Sequence, residues 1–358
     1  MPNARVRQLR AVMAESALQA LLVTHLSNVR YLSGFTGSSC ALLVTHDRSI
    51  LFTDGRYRTQ ANEEVEHARV VIGKKAPSIQ AADWINGRTP GPLALGIEAE
   101  HLTVFSRSAL RKALPSRVEI RPTASMIEHL RMIKDAAELA SIRKAVQLGS
   151  NLFKHVVKAI RPGVKELEVA AELEYQARRA GAEAMSFETI IAAGKRSALP
   201  HGRASAARVG RGFVVCDFGV ILAGYCSDMT RTVYVGNPSS ASRNFYQAVL
   251  DAQQAALASV RAGISTGEVD EAARKLLKKR GLANFFTHST GHGVGLEIHE
   301  APRVAAGQKE ILKPGMVITI EPGAYVPGKW GVRIEDMVAV TERGCEILTS
   351  TGKELVTI

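Results

Sequence analysis

Four carboxylates lie in stretches that otherwise read as strands. VCDFGVILAGYCSDMTRT, residues 215–232, carries Asp217 and Asp228 among Val, Cys, Phe and Tyr, while VITIEPG and GVRIED carry Glu321 and Glu335. Buried carboxylates repel one another, and each costs several kcal/mol unless a positive charge lies among them. Four of them carry about −4, which two divalent cations would neutralise. A nitrogen ligand is at hand in STGHGVGLEIHEAPR, where glycines at 291, 293 and 295 give the backbone room around His292, with His299 seven residues on. An oxygen-rich set with one imidazole suits Mn, Co or Fe, and tolerates Zn, better than it suits thiolate-seeking metals. Cys216 and Cys226 flank the aspartates, but alternation along a strand turns residue 216 away from the face of Asp217, as small core filling.

These side chains need a hairpin to carry them. Facing residues of an antiparallel pair have numbers of constant sum, so a two-residue turn at Leu222 and Ala223 sets Asp217 opposite Asp228 on one face. A turn that includes Gly224 shifts the register. Upstream, IKDAAELASIRKAVQLGSNLFKHVVKAIRPG opens on a capping box, Asp135 with Glu138, and places Leu139, Ile142, Val146, Phe153, Val157 and Ile160 on one helical face. Pro162 and Gly163 stop it.

Laying AIRPGVKELEVAAELEYQARRAG over SVRAGISTGEVDEAARKLLKKRG aligns Arg161 with Arg261, Gly163 with Gly263, Glu168 with Glu268, Val169 with Val269 and Gly181 with Gly281. Both copies read as helix, turn, helix ended by glycine, then strands, which is the mark of a duplicated unit. Each copy delivers one carboxylate pair. Residues 1–125 instead alternate short β-type runs (20–24, 40–45, 49–53, 93–98) with helical segments, an α/β layer domain preceding a second domain over 126–358.

The 358 residues, 46% hydrophobic and 22% charged, describe an ordinary folded chain of about two domains. No run approaches about 18 apolar residues and the first residues lack a signal-peptide pattern, so a cytoplasmic protein free of membrane is expected. Four scattered cysteines suggest neither a disulfide framework nor a zinc ribbon. The net charge of +12 would suit a polyanion, but the basic residues are spread along the chain and aromatics are only 5%, so no nucleic-acid partner is expected.

Taken together, D217FG, S227DMTRT, G291HGVGLEIHE, I320EPG and V332RIED, in that order, resemble the pita-bread metallopeptidases, in the branch of aminopeptidase P and prolidase. SNVRYLSGFTGSS and FTDGRYRTQA resemble the smaller first domain of the bacterial Xaa-Pro peptidases, so the likeness spans the chain. It implies an α+β fold with duplicated helix-helix-sheet halves forming two facing sheets. It implies two divalent cations, Mn first, with Asp217, Asp228, His292, Glu321 and Glu335 as ligands and Asp228 and Glu335 bridging. His201, His299 and Arg333 would surround a peptide with proline at its second position, and Glu321 would move the proton. Arg333 could equally hold Glu335 in place. Arg303 could meet a substrate carboxylate, although a structural ion pair is the commoner fate of such an arginine. With no convincing second arginine for a free carboxylate, the reading favours aminopeptidase P over the dipeptidase, and both over a non-catalytic binding module. The likeness also implies a homodimer paired through the first domain.

Overall fold

The computed structural model describes residues 4–88 and 91–358, which form two compact units, Met1–Arg131 and Met132–Ile358. The change in sequence character near 125 precedes that division by one short helix, Met126–Arg131. This helix belongs to the first unit because Ile127 is buried there and Arg131 donates to Asn28 Oδ1 at 2.8 Å.

The first unit is built on a six-stranded mixed sheet in the spatial order Arg69–Gly73, Ser49–Asp54, Cys40–Thr45, Ala20–Val23, Leu93–Glu98, Val118–Thr123. The four inner strands are runs of Leu, Val, Ile and Ala because they are covered on both faces. Helices Pro77–Arg88 and Val104–Ala113 set Ala81, Ile85 and Leu110 in one core with Leu22, Leu43, Phe52 and Leu95. Each such leucine or phenylalanine contributes about 1.5–3 kcal/mol by leaving water.

The second unit repeats itself. Helices Glu166–Arg179 and Thr266–Lys279 have 14 residues each, and in both a glutamate reaches back to the backbone at the helix start: Lys165 N donates to Glu168 and Ser265 N to Glu268, each at 2.8 Å. Longer helices precede them, Ala136–Ala159 with the expected Asp135 and Glu138 capping box, and Ser240–Ser259. One core joins Val156, Val169 and Leu173 to Val214, Cys216 and Phe218, and the other joins Val249, Val269 and Leu277 to Ile318, Ile320 and Val338. Cys216 therefore faces the helices, as alternation required.

Each half ends in a long hairpin interrupted partway. In the first, strand Gly212–Phe218 pairs with Met229–Val235, with Asp217 opposite Thr230, and Leu222 lies opposite Tyr225 nearer the tip. The turn is thus Ala223–Gly224, not Leu222–Ala223, and Asp217 is not opposite Asp228. Both turn residues have positive φ (50° and 79°), which Gly224 adopts without strain, and this fixes the register. Counted along the same register, Asp228 lies across from Gly219, so the two aspartates are diagonal neighbours on one face. In the second hairpin Ile320 faces Asp336 and Gly323 faces Arg333, which leaves Glu321 and Glu335 opposite one another in the gap. The ladder breaks there because their N–H groups donate elsewhere, Glu321 to Thr290 O at 2.7 Å and Glu335 to Thr230 O at 3.1 Å.

Gly219 has no room for a side chain, since a Cβ there would meet Ser227 O at 1.8 Å. Gly219→Ala should cost about 3 kcal/mol in urea unfolding. A loss below about 1 kcal/mol would mean that the break in the hairpin relaxes freely.

Candidate metal centre

The two broken hairpins and the short strand Gly291–Gly293 with the loop after it converge on a cavity of about 850 Å³ lined by His201, Asp217, Asp228, His292, His299, Glu321, Arg333 and Glu335. Asp217, Asp228, Glu335 and Arg333 are buried, Glu321 and His292 partly so, and His201 and His299 are exposed.

At the centre, Asp228, His292 and Glu335 bring one ligand-type atom each within 4.8 Å of one another. His292 Nδ1 lies 3.0 Å from Gly293 O, and a carbonyl only accepts, so this nitrogen carries the proton. Nε2 then presents a lone pair. It faces Glu321 Oε1 at 3.4 Å and Asp228 Oδ2 at 3.6 Å, both acceptors as well. Burial, and after it the neighbouring His299, holds the His292 imidazole down to about 4, so it stays neutral and ready to ligate. Asp228 Oδ1 is buried with no hydrogen-bond partner. Burial, and after it Glu335, pushes Asp228 well above the usual carboxylate range; burial, and after it Glu321, does the same to Glu335, and burial raises Glu321 to about 8. Lone pairs directed at lone pairs, one of them unpartnered, are what a divalent cation satisfies.

A second cluster, His25, His101 and Glu128 in the first unit, also brings ligand-type atoms within 4.8 Å. Its imidazoles stack 3.6 Å apart at an interplanar angle of 2°. A cation in the plane of one ring would lie well out of the plane of the other, so this arrangement does not fit one.

Around the centre, Thr230 Oγ1 donates to Glu335 Oε2 at 2.8 Å and accepts from Arg333 Nε at 3.1 Å. Arg333 also pairs with Asp217. It therefore acts on two of the carboxylates, one through Thr230. The sequence reading passed over two residues behind Arg333. Its Nη1 donates to Tyr325 Oη at 2.6 Å, Tyr325 lies 3.1 Å from His288 Nε2, and His288 Nδ1 lies 2.8 Å from Ser289 O. Since Ser289 O only accepts, the protons run one way along the chain, from Arg333 to Tyr325 to His288 to Ser289. Burial, and after it Arg333, holds His288 down to about 3 and thus neutral. Only the spacing of His288, four residues before His292, hinted at it.

The His299 ring stands edge to face with His292 at 4.3 Å, and His201 also lines the cavity. Arg303, on strand Glu300–Val304 opposite His292, is exposed into this space. Among the described residues its side chain makes no ion pair and no hydrogen bond, unlike that of Arg203, whose Nε lies 2.8 Å from Glu188 Oε2.

Metallopeptidase family M24 matches residues 140–342, and the creatinase/prolidase N-terminal domain matches residues 5–133. An Xaa-Pro dipeptidase of Pyrococcus horikoshii is 37% identical over 99% of both chains. Among solved structures, an Xaa-Pro dipeptidase from Bacillus anthracis superposes with a TM-score of 0.95 at 39% identity, covering 99% of each chain. An X-Pro aminopeptidase from Thermotoga maritima gives 0.90 at 35%, covering 98% of this chain and all of that one. With its duplicated halves and paired carboxylates, the chain belongs to metallopeptidase family M24.

Proposed function

We propose that the protein is an Xaa-Pro dipeptidase that cleaves the bond before proline, with two divalent cations held by Asp217, Asp228, His292, Glu321 and Glu335. The observation that carries the dipeptidase reading is Arg303. A dipeptide ends in a carboxylate inside the site, and an unpaired arginine on the cavity wall answers that charge. The aminopeptidase preference drawn from the sequence rested on lacking such an arginine. The names of relatives support the same choice, since chains similar over nearly their whole length are called Xaa-Pro dipeptidases.

When bound, the cations lower the pKa of water toward neutrality and polarise the scissile carbonyl. The chain does the rest. Asp228 and Glu335, one from each hairpin, would be among the residues that hold the cations, and Mn or Co suits this oxygen-rich set with one imidazole. Glu321 takes the proton of the attacking water and returns it to the proline nitrogen, which has no N–H and cannot leave without one. His299, standing over His292, donates to the carbonyl oxygen as charge develops there. Arg333 fixes the carboxylates from behind. As in the sequence reading, the protein is taken to be a homodimer without nucleic-acid partners, and light scattering at micromolar protein should return twice the 38.6 kDa chain mass. Among the described residues no helix is long and apolar enough to cross a membrane.

With Mn²⁺ supplied, Xaa-Pro dipeptides should be cleaved with kcat/KM at least tenfold above Xaa-Pro-Yaa tripeptides; the reverse order would restore the aminopeptidase. Arg303→Met should raise KM for the dipeptide about 100-fold, the worth of a charge-assisted hydrogen-bonded pair, and leave the tripeptide within a few-fold.

The raised carboxylates also set a pH dependence. A carboxyl whose folded pKa lies above its unfolded value near 4 keeps its proton in the folded state after the unfolded chain has lost it, so stability falls as pH rises. For Glu321 that window runs from about 4 to about 8. In chelator the melting temperature should therefore drop between pH 5 and pH 8, and the gain on adding Mn²⁺ should be larger at pH 8. An equal gain at both values would remove the electrostatic account of the site.

A further inference from the structure

Behind the metal centre, Arg231 is 2% exposed and uses all its donors. Nη1 donates to Thr230 O at 2.9 Å and to Glu335 O, one carbonyl from each broken hairpin. Nη2 reaches Asp336 Oδ1 at 2.8 Å and Thr351 O at 2.6 Å, and Nε reaches Gly352 O at 2.9 Å. The last two acceptors belong to neither hairpin. They open a segment, Thr351–Ile358, that crosses the back of both. Lys353 Nζ lies 2.7 Å from Asp336 Oδ2, and Tyr246 Oη donates to Lys353 O at 2.8 Å. Leu355 packs on the core of the second half, while Val356 and Ile358 pack on the core of the first. Tyr234 N donates to Val356 O and Ile358 N to Tyr234 O, each at 2.9 Å.

The two hairpins are also tied directly: Glu335 N donates to Thr230 O, the Thr230 hydroxyl to Glu335, Asp228 N to Met337 Sδ, and Thr232 Oγ1 to Arg333 O at 2.9 Å while accepting from Arg333 N. Arg333 also reaches Thr230 Oγ1 and Asp217, yet all of these ties lie on the hairpins themselves and none brings in a third segment as Arg231 does. Asp228 and Glu335 must nonetheless be held at the separation of two ligands of one centre, against the repulsion of their charges. We propose that Thr351–Ile358 is a strap, locked by Arg231 and Lys353, that sets the distance between the ligand-bearing hairpins, so that strap docking and cation binding stabilise each other. Arg231 is thus a positioning residue. The proposal rests on the metal assignment above. By linkage, whatever factor docking lends to cation affinity, the cation returns to docking.

The test is Mn²⁺ titration of the full chain, read by loss of the free-ion EPR signal, together with hydrogen exchange of a peptide covering 351–358. In the wild type, Mn²⁺ should slow exchange in that peptide at least tenfold. Arg231→Lys keeps the charge but not the five-donor fork, and Lys353→Met removes a partly exposed cation. Each should weaken Mn²⁺ binding at least tenfold, with KM for an Xaa-Pro dipeptide at saturating Mn²⁺ within twofold; Tyr246→Phe, which loses one bond, should fall between. Should Arg231→Lys fail to fold, Lys353→Met carries the comparison. Unchanged Mn²⁺ affinity in the variants that fold, or strap exchange indifferent to Mn²⁺, would overturn the proposal. Asp228→Asn separates it from the reading beneath: binding lost in Asp228→Asn but kept in Lys353→Met sinks the strap alone. Binding kept in Asp228→Asn sinks the metal assignment and the strap with it.

Discussion

Acceptor atoms facing acceptor atoms inside a protein are the constraint on which the second unit depends. His292 Nε2 stands 3.4 Å from a Glu321 oxygen and 3.6 Å from an Asp228 oxygen, and it has no hydrogen of its own to offer them, because the one ring hydrogen of His292 is committed to Gly293. Left alone, such a cluster takes up protons or springs apart. The surrounding chain is arranged to prevent the second outcome, through Thr230 on Glu335, Arg333 on Asp217 and Arg231 across both hairpins. A divalent cation is the remaining requirement.

Much of this was legible in the sequence because charges in strands stand out against an apolar background. The duplication, the helix start at Asp135 and the buried thiol of Cys216 follow from short-range rules of spacing and capping. The hairpin register did not. It turns on whether Gly224 takes the second position of the turn, a choice of one residue that moves the partner of Asp217 from Asp228 to Thr230. The two outer strands of the first sheet, Arg69–Gly73 and Val118–Thr123, were also missed. Being half-buried edges, they carry a weaker apolar signal than the inner four.

His288, Tyr325 and Thr230 escaped for another reason. None binds a cation in the arrangement described, and each matters only through the residue it touches. A pattern of ligand types in a sequence reveals the groups that meet the metal, while the groups that aim them become visible when distances are known. Arg303 is the mirror case. It was noticed and given the commoner structural role, and what changes its weight is the lack of an ion-pair partner among the described residues.

Both hairpins carry their acidic residues midway, with a reversal of chain beyond: Ala223 and Gly224 in one, Pro327 to Lys329 in the other. Pairing in an antiparallel ribbon depends on symmetry about the reversal, so residues added equally to both arms outside the break leave the inner partners where they are. The outer ends can therefore grow, shrink or change composition during divergence while the centre keeps its shape. The length of the reversal and the geometry of the acidic centre are in this sense separately heritable traits of one ribbon.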